Sequence, residues 1–249
     1  MFDLIGLGAL AGVLPVYLGI VAAMLIARTL SRAWEGFLVG LATGILAYLF
    51  FDLMHEAVEL SGARDPASWA VFLGSLLISF VGLVFLEQNQ MQRTRPFGHV
   101  LSLPYVIASG MGLHNLGEGL AIGVSYAGGQ WALSTLLVVG FALHNGTEGF
   151  GIVGSAGMKS INAKEALFLG LIAGVPTCLG TILSGQDLSP YFSLACYTLA
   201  AGSLLYVIIA LTAISYTASR RIQVGLGVFF GVTLMYLTGM LLTLLGVGS

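Results

Sequence analysis

Residues 103–127 read LPYVIASGMGLHNLGEGLAIGVSYA, and residues 131–155 read WALSTLLVVGFALHNGTEGFGIVGS. Each run is long enough to cross the roughly 30 Å hydrocarbon layer of a bilayer as a helix, yet each carries His, Asn and Glu near its middle. Outward from these two segments the chain continues as apolar runs with little polar sequence between them. Over 249 residues, 57% are hydrophobic and 8% charged. An ordinary soluble domain carries about 25% charged residues, so no soluble surface can be assembled from this composition. The runs are continuously apolar rather than alternating, which points to helices and away from a β-barrel.

Breaks at polar, Gly and Pro residues give eight expected spans: Leu4 to Ala27, Trp34 to Leu60, Trp69 to Leu86, His99 to Ala127, Gln130 to Met158, Lys164 to Leu183, Pro190 to Tyr216 and Arg221 to Gly246. The fold class is an all-α integral membrane protein, a single transmembrane domain over residues 1–249. Sorting the loops alternately places Arg28, Arg32, Arg93, Arg95, Lys159, Lys164, Arg220 and Arg221 on one side and only Arg64 on the other. Cytoplasmic loops carry the basic excess, so both termini are expected outside. Met1-Phe2-Asp3 lacks the positive start of a cleavable signal peptide, and the first apolar run is read as a retained helix. The net charge of −2 and the lack of a basic stripe give no sign of a nucleic-acid partner. Cys178 and Cys196, without CxxC spacing, read as buried small side chains.

The fourth and fifth spans share one pattern: His114-Asn115-x-x-Glu118-Gly119 and His144-Asn145-x-x-Glu148-Gly149. His and Glu four residues apart lie on one helix face, with the Asn on its adjoining edge. Counted from opposite faces of the membrane, both motifs fall near the bilayer centre. An ionisable residue there costs at least about 2.5 kcal/mol on insertion scales, so the group needs compensation. A divalent cation supplies it: two carboxylates neutralise the charge, and two imidazoles add nitrogen ligands suited to Zn, Fe, Co, Ni or Mn. The plain alternative is a set of interhelical hydrogen-bond clamps, which a single polar residue would favour and six in register do not.

The paired motifs resemble those of the ZIP (Zrt/Irt-like) family of divalent metal transporters, in particular its prokaryotic branch. The resemblance implies eight spans with both ends outside, an inverted-repeat bundle about spans four and five, and a homodimer. It also implies that His114, Glu118, His144 and Glu148 are metal ligands, with Asn115 and Asn145 lining a second metal position. On this reading the metal is transported substrate, no cofactor is needed, and the chain is not an enzyme. It would move zinc foremost, with iron, manganese, cobalt and cadmium also accommodated, toward the cytoplasm of a prokaryote through its inner membrane by alternating access. Three positions depart from the family pattern. Gly117 and Thr147 stand where prolines are common, and Val175 precedes Pro176 where a Glu is usual, so the second metal position is expected to lack a ligand.

Asp52, His55, Glu56 and Glu59 follow one another at i, i+3, i+4 and i+7 near the outer end of the second span. They are expected to form an acidic funnel for incoming cations, against the plainer reading of a solvated helix end. The loop from Glu87 to Gly98 has no histidine tract, and His99 reads as an interfacial anchor. Two other functions compete: an intramembrane zinc-dependent hydrolase and a proton-coupled carrier of another solute. The hydrolase would need a general base beside the metal, and no HExxH occurs. The carrier would use Glu118 and Glu148 to titrate rather than to coordinate.

Overall fold

A computed structural model of the chain describes residues 2–26, 29, 31–62, 65–92, 102–157, 161–184 and 189–244. These residues form eight helical rods: α1 (Phe2–Ile26), α2 (Arg32–Ser61), α3 (Pro66–Gln92), α4 (Ser102–Ala127), α5 (Trp131–Ser155), α6 (Ala163–Leu183), α7 (Pro190–Ala218) and α8 (Arg221–Leu244), with no strand among the described residues. Seven of them are long and apolar enough to cross a bilayer. The exception is α4, which has the length, at 26 residues, but whose apolar content is diluted by glycines and by His114, Asn115 and Glu118. The protein is a multi-pass integral membrane protein. Leu73, Leu77, Ile78 and Phe85 of α3 and Phe229, Leu237 and Leu241 of α8 stand exposed, as lipid-facing side chains do.

The rods lie close to the expected spans. The largest shift is in α3, which continues through Gln92 instead of stopping at Leu86, because Glu87-Gln88-Asn89-Gln90 extends the helix past the apolar stretch. The residues Arg28, Arg64, Arg93, Arg95, His99, Lys159 and Asp187 fall outside the described residues.

Local chemistry sets several ends. Asn162 caps α6 by accepting from Lys164 N and Glu165 N, both at 3.0 Å, and the Glu165 carboxylate accepts from Asn162 N at 2.9 Å. Ser189 caps α7, with Pro190 in the first turn where its missing N–H costs nothing. Asp65 accepts hydrogen bonds from Ser68 and Tyr191, which tie the start of α3 to the start of α7 and hold its carboxyl below the ordinary carboxylate range. Between α4 and α5 the chain turns back through Gly128 and Gly129, the latter at φ 74°, a left-handed conformation that favours glycine. That tight turn makes α4 and α5 antiparallel neighbours and brings their two motifs to one level.

The main helix pairings are α4 with α6, α2 with α8, α1 with α5, α1 with α6, α3 with α7 and α2 with α7. Exchanging α1 with α6, α2 with α7, α3 with α8 and α4 with α5 maps this set onto itself. Several of the pairings run backbone against backbone through glycines. A Cβ on Gly19 of α1 would collide with the Gly146 carbonyl of α5, and a Cβ on Gly180 of α6 with the Leu116 carbonyl of α4.

Candidate metal site

His114 lies 12 residues from the start of α4 at Ser102, and His144 lies 13 residues from the start of α5 at Trp131. At 1.5 Å per residue, on antiparallel rods of nearly equal length, both reach mid-bundle. There the two helices bring their polar groups together, every one buried: His114, Asn115, Glu118, His144, Asn145 and Glu148 are all less than 5% exposed. Glu118 is the focus. Its Oε1 stands 3.0 Å from His114 Nε2 of the same helix and pairs with His144 Nε2 from the facing one. One ligand atom from each of these three residues lies within 4.8 Å of the others. Ligands bound at about 2.0–2.1 Å to a shared tetrahedral ion stand roughly 3.3 Å apart, so a small adjustment of the rings would seat one.

The asparagines cross-connect the two helices. Asn145 Nδ2 donates to Glu118 Oε2 at 2.8 Å and to the Ala11 carbonyl of α1 at 2.9 Å. Asn115 Nδ2 donates to Glu148 Oε2 at 2.9 Å and to the Ala173 carbonyl of α6 at 3.1 Å. Each Asn thus bonds the other helix's carboxylate and one carbonyl of a third helix. The arrangement repeats under the same exchange of helices that relates the main pairings.

The two copies of the motif nevertheless differ in what surrounds their carboxylates. Glu118 holds both imidazoles, whereas Glu148 meets only Asn115 and leaves Oε1 buried without a hydrogen-bond partner. Asn115 Oδ1, Asn145 Oδ1 and Thr177 Oγ1 are likewise buried and unpartnered. Thr177, on α6, was not singled out by sequence reading, and its exposure of 0% beside the helix proline Pro176 makes it the polar side chain that α6 presents near this level. The ordinary back-bond of a helical Thr goes to the carbonyl four residues earlier, here Ala173, which Asn115 already uses.

A distortion appears where sequence reading did not place one. Both α4 and α5 run as uninterrupted α-helix through Gly117 and Gly146-Thr147, while α1 opens into a π-helical turn at Ala9–Val13. The carbonyl captured by Asn145 belongs to that turn. Irregular turns of this kind expose backbone groups that a regular helix would bond internally.

Above the site, a cavity of about 510 Å³ is lined by Asp52 and Glu56 of α2, Gln130 before α5, Phe141 of α5, Ser193 and Tyr197 of α7, and His114, Gly117 and Glu118 of α4. It opens toward the C-terminal ends of α2 and α4 and the N-terminal ends of α5 and α7. Of the acidic stripe foreseen on α2, only Asp52 and Glu56 face this cavity. His55 and Glu59 form an ion pair with each other at 3.3 Å and are well exposed. Toward the opposite end the bundle is packed: Ile107, Met111, Ile152 and Leu211 have no exposure and belong to one continuous apolar core.

No family model matches the chain. It is 29% identical over 199 residues to the zinc transporter GufA of Myxococcus xanthus, an alignment covering 74% of this chain and 78% of that protein. It is 25% identical over 185 residues to a protein of Arabidopsis thaliana described as a candidate zinc transporter, covering 73% of this chain. The chain spans only 30% of that plant protein's length. Both relatives are named as zinc transporters, in keeping with the resemblance of the paired motifs to those of the ZIP family. The residues that the paired motifs singled out converge at mid-bundle, where Glu118 is the common partner of His114, His144 and Asn145, and Glu148 is met by Asn115.

Proposed function

We propose that the chain carries divalent transition-metal ions through the membrane, with zinc foremost and iron, manganese, cobalt and cadmium as further cargo. The reading rests on one observation: a single carboxylate oxygen of Glu118 is shared by imidazoles from two antiparallel helices at the foot of a one-sided cavity. His114, Glu118 and His144 provide two nitrogens and an oxygen, a set that suits borderline ions better than Mg²⁺ or Ca²⁺. Glu148, Asn115 and Asn145 complete the chamber with oxygen acceptors that have no other use, and two carboxylates balance one M²⁺.

The site is built for transit rather than for permanent storage. In durable zinc sites the second nitrogen of each ligating His is anchored by a hydrogen bond. Here Nδ1 of His114 and Nδ1 of His144 are both buried without partners, so neither ring is locked in a binding pose. The donor set has no thiolate, which keeps affinity below that of structural zinc sites.

The route in runs past Asp52 and Glu56, whose charges concentrate cations at the mouth of the cavity. With the basic loops in the cytoplasm, this mouth faces outward, and α4 completes an eight-span bundle with both termini outside. The repeated packing pattern then corresponds to an inverted repeat about α4 and α5. Release to the cytoplasm requires the packed inner core around Met111 and Ile152 to part while the outer cavity closes, an alternating-access cycle. On this reading the chain works in the inner membrane of a prokaryote, as a homodimer and not as an enzyme.

The test is uptake. The chain reconstituted in vesicles holding a zinc-sensitive dye should admit Zn²⁺ or Cd²⁺, and Glu118→Ala should abolish the signal. Uptake that survives this change undiminished rejects the proposal.

A further inference from the structure

A second site lies at the other end of the bundle from the cavity mouth. Where α2 begins and α7 passes into α8, a pocket is lined by Arg32, Ala33, Thr217, Ser219 and Arg220. The two arginines come from segments far apart in sequence, and the fold fixes them together. Ser219 Oγ donates to the Arg32 carbonyl at 3.0 Å, and the Ser219 side chain fills the space that a Cβ on Gly36 would occupy. Among the described residues no carboxylate lies within 4.0 Å of Arg32, Arg220 or Arg221. The ion pairs found there are all between His and Glu. Two arginines therefore line one pocket, and among the described residues no carboxylate pairs with either.

We propose that this pocket binds the phosphodiester headgroup of an anionic phospholipid in the cytoplasmic leaflet. The chemistry follows from the lining: guanidinium forks match phosphate oxygens bidentately. The location selects a lipid over a free anion. Trp34 and Ile222, 58% and 70% exposed, flank the pocket on α2 and α8 and place it at the level where aromatic and apolar side chains meet lipid. The basic loops assign this end to the cytoplasmic side, whose leaflet carries the anionic lipids, and basic pockets between membrane helices on that side recognise such headgroups. The site shares no residue with the metal chamber, so it stands or falls separately from the transport reading.

The purified full chain in detergent is titrated with phosphatidylglycerol or phosphatidylcholine, and bound lipid is counted by native mass spectrometry. Wild type should retain phosphatidylglycerol over phosphatidylcholine by about thirtyfold, roughly fivefold per arginine. R32Q/R220Q should lose that preference, while R32K/R220K should keep at least about fivefold and so exclude a folding defect. Lys164→Gln, which removes a basic residue on the same side but outside the pocket, should leave the preference unchanged. Millimolar inorganic phosphate should fail to displace the lipid. The proposal is overturned if R32Q/R220Q keeps the preference, if Lys164→Gln lowers it equally, if R32K/R220K loses it entirely, or if inorganic phosphate displaces the lipid.

Discussion

The His-Asn-x-x-Glu-Gly segments of α4 and α5 are nearly the same in sequence and unequal in surroundings. On α4, Glu118 is met by two imidazoles and an amide and touches the cavity; on α5, Glu148 is met by one amide and keeps an oxygen unpartnered. A duplicated motif therefore supplies two helices with the same side chains, and the contacts that each copy makes across the bundle divide the work. Glu118 gathers both imidazoles. Glu148 keeps an open, buried oxygen.

The sharpest way to break this contrast is to neutralise each carboxylate in turn. Glu118→Gln should weaken Cd²⁺ binding by more than about a hundredfold in calorimetry, because both imidazoles lose the anion that they share with the ion. Glu148→Gln should cost about tenfold. Equal losses would make the copies equivalent. Next in size are the imidazoles: His114→Ala and His144→Ala should each lower affinity by at least about tenfold, judged against the effect of losing even an indirect partner of a metal ligand.

Acid should then act through the same nitrogens. A ligand must be free of its proton to bind a metal, so protons compete with the ion and affinity should fall on acidification. A profile flat from pH 8 to pH 5 would remove the histidines from the site. The smallest effect concerns the approach. Asp52→Asn should slow uptake by about two- to fivefold at low ionic strength while leaving equilibrium affinity nearly unchanged, since steering acts on encounter and is screened by salt. His55→Ala and Glu59→Gln should do neither, because those side chains pair with each other away from the cavity.

The last contrast also marks what sequence could and could not deliver. Spacing of i, i+3, i+4 and i+7 put Asp52, His55, Glu56 and Glu59 in one stripe, but a stripe has width. At 3.6 residues per turn His55 sits roughly 60° from Asp52, with Glu56 rotated the other way, and the cavity edge falls between the two pairs. That edge is set by α4, α5 and α7, none of which the α2 sequence encodes. The rods themselves were legible because the length of an apolar run is dictated by bilayer thickness, and the overrun of α3 to Gln92 came from polar residues that continue a helix without belonging to a span. The depth of the paired motifs was legible from counting alone.

Contacts to third helices were not. Nothing in Ala9-Leu10-Ala11-Gly12-Val13 announces a π turn, since no proline is present, and the Asn145 bond to Ala11 exists only once α1 packs on α5. Thr177 was passed over for a related reason. The departure at Val175 drew attention to a missing carboxylate, while the buried hydroxyl two residues on becomes noticeable only when its usual carbonyl partner is seen to be taken by Asn115.

The central claim is that one cation is gripped between α4 and α5 by His114, Glu118 and His144. X-ray absorption on the zinc-loaded protein tests it most directly. The expected spectrum has two imidazole nitrogens and oxygen neighbours at about 2.0–2.2 Å, with the imidazole contribution halved in His144→Ala. A shell made of oxygens alone, or one that His144→Ala leaves untouched, would contradict the account.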